Sequence, residues 1–235
     1  MLQHVYERAA RAKRLAGVLV ATDDQRIVDA VEGFGGKAVM TLPDHASGSD
    51  RVAEVARRPE ADDVEIVVNV QGDQPLIDPR ALDALVAAFD DAPDLQMATL
   101  YEPLASVQDL VDPNVAKVVP DRSGHAIYFS RSPIPYYRHE SPAHAALKER
   151  FETDLALRPE GLAGYWKHVG VYAFRKEFLF EFGRLPQGTL EALEGLEQLR
   201  ALEAGHRIRL VRSAGVSLSV ETPADLERIR GIMTS

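Results

Sequence analysis

VEIVVNVQGDQP, residues 64–75, decides the fold. Val64–Val70 is almost wholly apolar and shows no polar–apolar alternation, as expected of a central parallel strand buried on both faces. Gly72 lets the backbone turn and approach a ligand, and Pro75 stops the strand. Asp78-Pro79 then opens a helix, with aspartate as its cap and proline in its first turn. Ligands of open parallel sheets sit at the carboxyl ends of the strands. Asp73, just past the tip of this strand, is therefore the first candidate for chemistry.

Working outward, short apolar runs alternate with amphipathic stretches. GVLVA (17–21) reads as a strand, and DQRIVDAVEGFGG as a helix with Ile27, Val28, Val31 and Phe34 on one face. KAVMT (37–41) is a second strand, and residues 49–58 are helical. LQMATLY (95–101) is a strand, and KVVPDRSGHAIYFS a hairpin turning through Asp121–Gly124. Residues 131–164 carry prolines at 133, 135, 142 and 159 and read as an excursion from the main sheet. YWKHVGVYAF (165–174) returns as a strand. Leu190, Leu193, Leu196, Leu199 and Leu202 form one helical stripe stopped by Gly205. HRIRLVR is a strand, and Thr222, Pro223 and Asp225 open the last helix as a capping box. This βα rhythm predicts an α/β fold: a doubly wound, mainly parallel, Rossmann-like sheet with a small antiparallel, loop-rich excursion. Residues 1–235 form a single domain, with the excursion inside 115–174.

Composition narrows the function. The 235 residues carry a net charge of −9 and are 46% hydrophobic, so a sizeable core is available. The acidic balance disfavours nucleic acid or an anionic membrane as the main partner. The chain has no cysteine, which removes disulfides and thiolate zinc sites and fits a reducing compartment. The charged N-terminus does not read as a secretory signal, and no apolar run is long enough to span a bilayer. A cytoplasmic protein is expected. Glycine-rich dinucleotide and Walker loops are missing from the places where they would be read.

Five constellations and one further arginine remain, each with a plainer alternative. Asp73 can hold Mg²⁺ against substrate phosphates, because Mg²⁺ favours one or two carboxylates plus phosphate oxygens; it can also simply form an Asx turn. Glu221 can be a second carboxylate for the metal, or an acid favoured by the dipole of the last helix. Ser47, Gly48 and Ser49 start a helix as a polar nest for a base or phosphate, with Arg51 on its first turn, or are an ordinary cap. His168, Gly170 and Tyr172 share one strand face, with Gly170 leaving space between two polar rings, or are core. Glu197 and Gln198 point into a pocket or lie on a solvated face. Arg131 can pair bidentately with a substrate carboxylate, or sit on the surface.

HVYERA, VATDD, DHASGSDRVAEV, VNVQGDQP, PNVAKVV, AIYFSRSPIPYYR, KHVGVYAFR, LEQLRALEAG and ETPADLERIR follow one another through essentially the whole chain. In that order they resemble the 3-deoxy-manno-octulosonate (Kdo) cytidylyltransferases, the CMP-Kdo synthetases. The resemblance implies a cytoplasmic homodimer that condenses Kdo with CTP to give CMP-Kdo and pyrophosphate for lipopolysaccharide biosynthesis. It implies Mg²⁺ on Asp73 and Glu221. It places Gln71, Ser47, Gly48 and Arg51 on the CTP side and Arg131, His168, Tyr172, Glu197 and Gln198 on the Kdo side. Sugar binding and dimer contact fall to the 131–164 excursion. Two departures stand out. Family members begin with a strand and a PARxxSxRLPGKP loop that grips CTP, so the resemblance implies a natural start upstream of Met1. Glu221 occupies the place of the usual aspartate, one methylene longer. Alternatives are a non-catalytic remnant of the fold, or a cytidylyltransferase for another acid sugar such as a sialic acid or amino-Kdo.

Overall fold

A computed structural model describes residues 1–45, 47–136, 162, 164–213, 217–220 and 223–234. Most of the proline-rich excursion, together with Glu221 and the proposed cap Thr222, lies outside them.

Helix α1 (Leu2–Ala9) precedes strand β1 (Val20–Thr22), helix α2 (Gln25–Gly33) and strand β2 (Ala38–Met40). The sequence spacing places β1 three residues too early. Helix α3 (Gly48–Ala56) starts at Ser47, whose Oγ accepts from the Asp50 N–H. Strand β3 (Ile66–Val70) leads through the 71–75 turn to helix α4 (Pro79–Ala87), where Asp78 accepts from the Arg80 N–H as expected. Then come β4 (Met97–Pro103), α5 (Val107–Val111), and the hairpin β5 (Lys117–Pro120)–β6 (Ala126–Ser130). Its turn is built by Asp121, which accepts from the Ser123 and His125 N–H groups, and by Gly124 at φ +78°. Strand β7 (Trp166–Arg175), helices α6 (Lys176–Phe182), α7 (Thr189–Glu194) and α8 (Leu199–Glu203), strand β8 (Ile208–Arg212) and helix α9 (Pro223–Thr234) complete the order.

The α/β class holds, but the sheet is mixed rather than mainly parallel. Strand β7 runs antiparallel between β3 and β4, and β8 pairs parallel with β4 on the far side. The hairpin continues the sheet beyond β3, with Lys117 opposite Lys167. The expectation that Val64–Val70 is a central parallel strand is corrected. Among the described residues β3 pairs only with β7, while β1 and β2 form a separate parallel pair. An apolar run reports burial on both faces but says nothing of strand direction or of how many neighbours flank it. Helix α3 packs on both β1 and β3 and so bridges the two sheets.

Side chains of the main sheet alternate between two cores. Tyr172 and Phe174 of β7 face Phe178, Leu179 and Phe182 of α6 and Ala53 and Ala56 of α3. Val169, Val171 and Ala173 face Leu82 and Leu85 of α4 and Ala9 of α1. Full burial of each large apolar side chain contributes roughly 1.5–3 kcal/mol. Asn69 of β3 lies opposite Tyr172 and so belongs to the first of these faces.

The expected leucine helix over 189–204 is also corrected. It is broken at Gly195, which takes a left-handed conformation (φ +60°, ψ +39°), and Leu193 is 78% exposed. Gly205, at φ +86°, ends the second piece as anticipated.

Candidate functional site

The tip of β3 and the middle of β7 create the site. Val70 pairs with Val171 in antiparallel register, so the 71–75 turn continues alongside Gly170 and His168. The ladder between β4 and β7 slips between Thr99 and Leu100, a bulge opposite Gly170. A Cβ on Gly170 would meet nothing within 4 Å. The open space lies beside Gly170 rather than between the two rings, which pack tilted against each other with centroids 5.5 Å apart.

His168 is buried, and loss of hydration holds its pKa down at about 3, with the Lys167 cation adding to the effect. Its Nε2 lies 2.9 Å from Thr99 Oγ1, which spends its one proton on the Val171 carbonyl at 2.9 Å. Nε2 must then be the donor, which leaves Nδ1 as an acceptor. The Tyr172 hydroxyl donates to Gln198 Oε1 at 2.9 Å, and burial raises its pKa.

Glu197 and Gln198 do turn inward, because the Gly195 corner folds α8 back against α7. A buried bidentate pair holds that corner: Arg200 Nε and Nη2 donate to the two oxygens of Glu191 at 2.8 and 2.6 Å. Glu197 Oε1 accepts from Ser49 Oγ at 3.0 Å. Burial raises the Glu197 pKa, opposed by its serine hydrogen bonds and by Arg200.

On the opposite side, Ser47 Oγ also donates to Asp50 Oδ2 at 3.0 Å. A Cβ on Gly48 would lie 3.2 Å from Gln71 Nε2, so glycine is what lets the start of α3 approach that amide. Arg51 Nη1 donates to Thr41 Oγ1 at 2.6 Å and faces Asp23 at 3.2 Å, tying the ends of β1 and β2 together. Asp73 sits in the turn, its carboxyl pKa raised by burial. Its carbonyl accepts from the Val220 N–H at 2.9 Å, which brings the segment preceding Glu221 to this turn. Glu221 itself lies outside the described residues.

Three candidates carry buried polar atoms with no hydrogen-bond partner among the described residues: Asp73 Oδ1, Glu197 Oε2 and Gln198 Nε2. A buried atom of this kind costs about 1–3 kcal/mol unless something binds it. No group of three or more acids or histidines suited to a metal occurs among the described residues. The orphaned Asp73 oxygen nevertheless suits Mg²⁺, which draws most of its remaining ligands from substrate phosphates and water.

Arg131 departs from its expected role. Its Nε, Nη1 and Nη2 donate to the carbonyls of Glu194, Pro113 and Gly195 at 2.7, 2.8 and 3.3 Å. The guanidinium thus holds the Gly195 corner, where a substrate carboxylate had been expected. Peptide carbonyls are weaker acceptors than a carboxylate, but the break between α7 and α8 presents those of Glu194 and Gly195 to the guanidinium. Sequence reasoning also missed Asn69, Thr99, Glu191 and Arg200. Only Asn69 left a signal, as the one amide inside the apolar VEIVVNV run.

The family described as Cytidylyltransferase matches residues 1–208. The 3-deoxy-manno-octulosonate cytidylyltransferase of Syntrophotalea carbinolica is 50% identical over 97% of this chain and 86% of its own length. That of Geobacter sulfurreducens is 48% identical over 97% of this chain and 87% of its own. A solved CMP:2-keto-3-deoxy-manno-octonic acid synthetase complexed with CTP superposes with a TM-score of 0.82 at 40% identity, covering 99% of this chain and 87% of that one. A 4-diphosphocytidyl-2C-methyl-D-erythritol synthase from Anaerococcus prevotii, 12% identical with a TM-score of 0.57, shares the fold. With the strand-tip aspartate, the His168–Tyr172 face and the inward Glu197–Gln198 corner in place, this chain belongs to the family of 3-deoxy-manno-octulosonate cytidylyltransferases.

Proposed function

We propose that the protein transfers the cytidylyl group of CTP to Kdo, releasing pyrophosphate and supplying CMP-Kdo for lipopolysaccharide biosynthesis. The observation that carries this reading is the set of orphaned buried atoms on Asp73, Glu197 and Gln198. They offer two carboxylate acceptors and one amide donor, a set suited to a metal-bound polyphosphate and a polyhydroxy acid.

Asp73, with Glu221 as a second acid, would hold Mg²⁺, which supplies charge neutralisation on the phosphates when bound. Ser47, Gly48, Gln71 and Arg51 line the nucleotide side. Gln198 Nε2 donates to the sugar while its Oε1 stays with Tyr172. His168 stays neutral through the physiological range and serves as a hydrogen-bond acceptor at Nδ1 rather than as an acid or base. The anomeric hydroxyl attacks the α-phosphorus as the bond to the β-phosphate oxygen breaks. The protein's contribution is positioning and electrostatics. In this reading the protein is a cytoplasmic homodimer, and residues 115–174 serve sugar binding and subunit contact. Analytical ultracentrifugation checks the dimer.

Pyrophosphate release from CTP with a panel of acid sugars tests the substrate. Turnover with Kdo and not with sialic acid or amino-Kdo is expected; the reverse selects another acid sugar. Asp73→Ala is expected to lower kcat at least a thousandfold with the circular dichroism spectrum unchanged. Near-full activity would place the metal elsewhere.

A further inference from the structure

A file of hydrogen bonds crosses the molecule between the two sides of the site. Gln71 Nε2 donates to Asn69 Oδ1 at 3.2 Å, Asn69 Nδ2 to Ser49 Oγ at 3.2 Å, and Ser49 Oγ to Glu197 Oε1 at 3.0 Å. Ser49 is 0% exposed and Asn69 3%. Four different stretches meet here: the start of α3, the body of β3, the turn after it and the corner before α8.

The donors along the file all point the same way when Glu197 is a carboxylate, which can only accept. The Ser49 hydroxyl has one proton, and the carboxyl group of Glu197 takes it. Ser49 can therefore only accept from its other neighbour, which must present Nδ2. The Asn69 amide is then fixed with Oδ1 towards Gln71, and Gln71 must offer Nε2 to it. Gln71 is left with Oε1, an acceptor, close beside Gly48 at the start of α3.

We propose that Ser49 and Asn69 are positioning residues, which fix the amide orientation of Gln71 on the nucleotide side and hold Glu197 Oε1 on the sugar side. The group that Gln71 meets must be an N–H or O–H donor of a bound substrate. One hydroxyl serves both ends, so breaking the file anywhere disturbs both substrates together. This inference rests on the cytidylyltransferase reading above.

Steady-state kinetics of four variants test it. Ser49→Ala is expected to lower kcat/KM for Kdo about tenfold and to raise KM for CTP several-fold, the scale of one buried hydrogen bond. Ser49→Thr, which keeps the hydroxyl, returns both to within about threefold of wild type. Asn69→Ala matches Ser49→Ala, and the double variant loses no more than about tenfold, because the file is already broken. Where Asn69→Ala does not fold, Asn69→Asp, which removes the Nδ2 donor at constant shape, takes its place. A Ser49→Ala variant within twofold of wild type at unchanged Tm overturns the proposal. So does a double variant whose losses multiply to about a hundredfold. A wild-type chain that binds CTP but turns over no Kdo defeats the functional reading alone. Calorimetric CTP affinity of the same variants then decides, with weaker binding by Ser49→Ala expected and an unchanged Kd overturning the inference. A wild-type chain that binds no CTP overturns both.

Discussion

His168 shows how much one buried ring can weigh on stability. In the unfolded chain an imidazole titrates near 6.5, whereas in the fold burial keeps it neutral down to about 3. Between those values the unfolded chain takes up a proton that the folded chain refuses. Stability is therefore full above pH 6.5 and declines as pH falls towards 3, at a slope approaching about 1.4 kcal/mol per pH unit. His168→Gln, which keeps a polar group of similar length, is expected to flatten the fall in urea-unfolding free energy between pH 6.5 and 5. Equal slopes for the two proteins would show that this ring is not the group responsible. Glu54 belongs to a lower window. The Leu42 N–H, and then His45, hold its carboxyl at about 2, so its contribution is lost only as pH falls below about 4.5.

At the scale of elements, the corner between α7 and α8 decides whether Glu197 and Gln198 reach the site. Gly195 makes the corner with a positive φ, and the Arg131 guanidinium lies 3.9 Å from where a Cβ would sit. Alanine fits the space but not the backbone conformation, which costs an L-residue about 1–2 kcal/mol. Gly195→Ala is expected to lower Tm by a few degrees and kcat/KM for Kdo more than tenfold, with KM for CTP changed less. Differential scanning fluorimetry and steady-state kinetics check both. A variant that melts earlier yet keeps its sugar kinetics would mean that the corner does not set the positions of 197 and 198.

Across the whole molecule, stability is concentrated in the mixed sheet. β7 is paired along both edges and buried on both faces, whereas β1 and β2 are three residues each and pair only with each other among the described residues. Local opening follows buried contact and shielded hydrogen bonding. Hydrogen exchange should therefore find the slowest amides in β4 and β7, and β1–β2 exchanging at least a hundredfold faster. Comparable protection in the two sheets would contradict this division. A second tie spans the molecule near the site. Buried Glu102 accepts from the Ser217 N–H and Oγ–H, and Lys167 donates to the Ser217 carbonyl at 3.0 Å. Together they fasten the segment that delivers Val220 to Asp73.

The sequence by itself determined the local chemistry: an apolar strand ending in a glycine turn, the Asp78 and Ser47 caps, the Asp121 hairpin turn, and the glycine between His168 and Tyr172. These are legible because each depends on neighbours a few residues away. Its motif order also carried the family. Tertiary structure alone decided that β7 runs antiparallel between β3 and β4, that the leucine stripe breaks at Gly195, and that Arg131 holds backbone carbonyls. It also joined Ser49, Asn69, Gln71 and Glu197, residues up to 148 positions apart, into one file. Hydrophobic periodicity records which side of an element is buried. Strand direction and the partner of a buried polar group depend instead on which distant segments satisfy its hydrogen bonds, and that is settled only when the chain has folded.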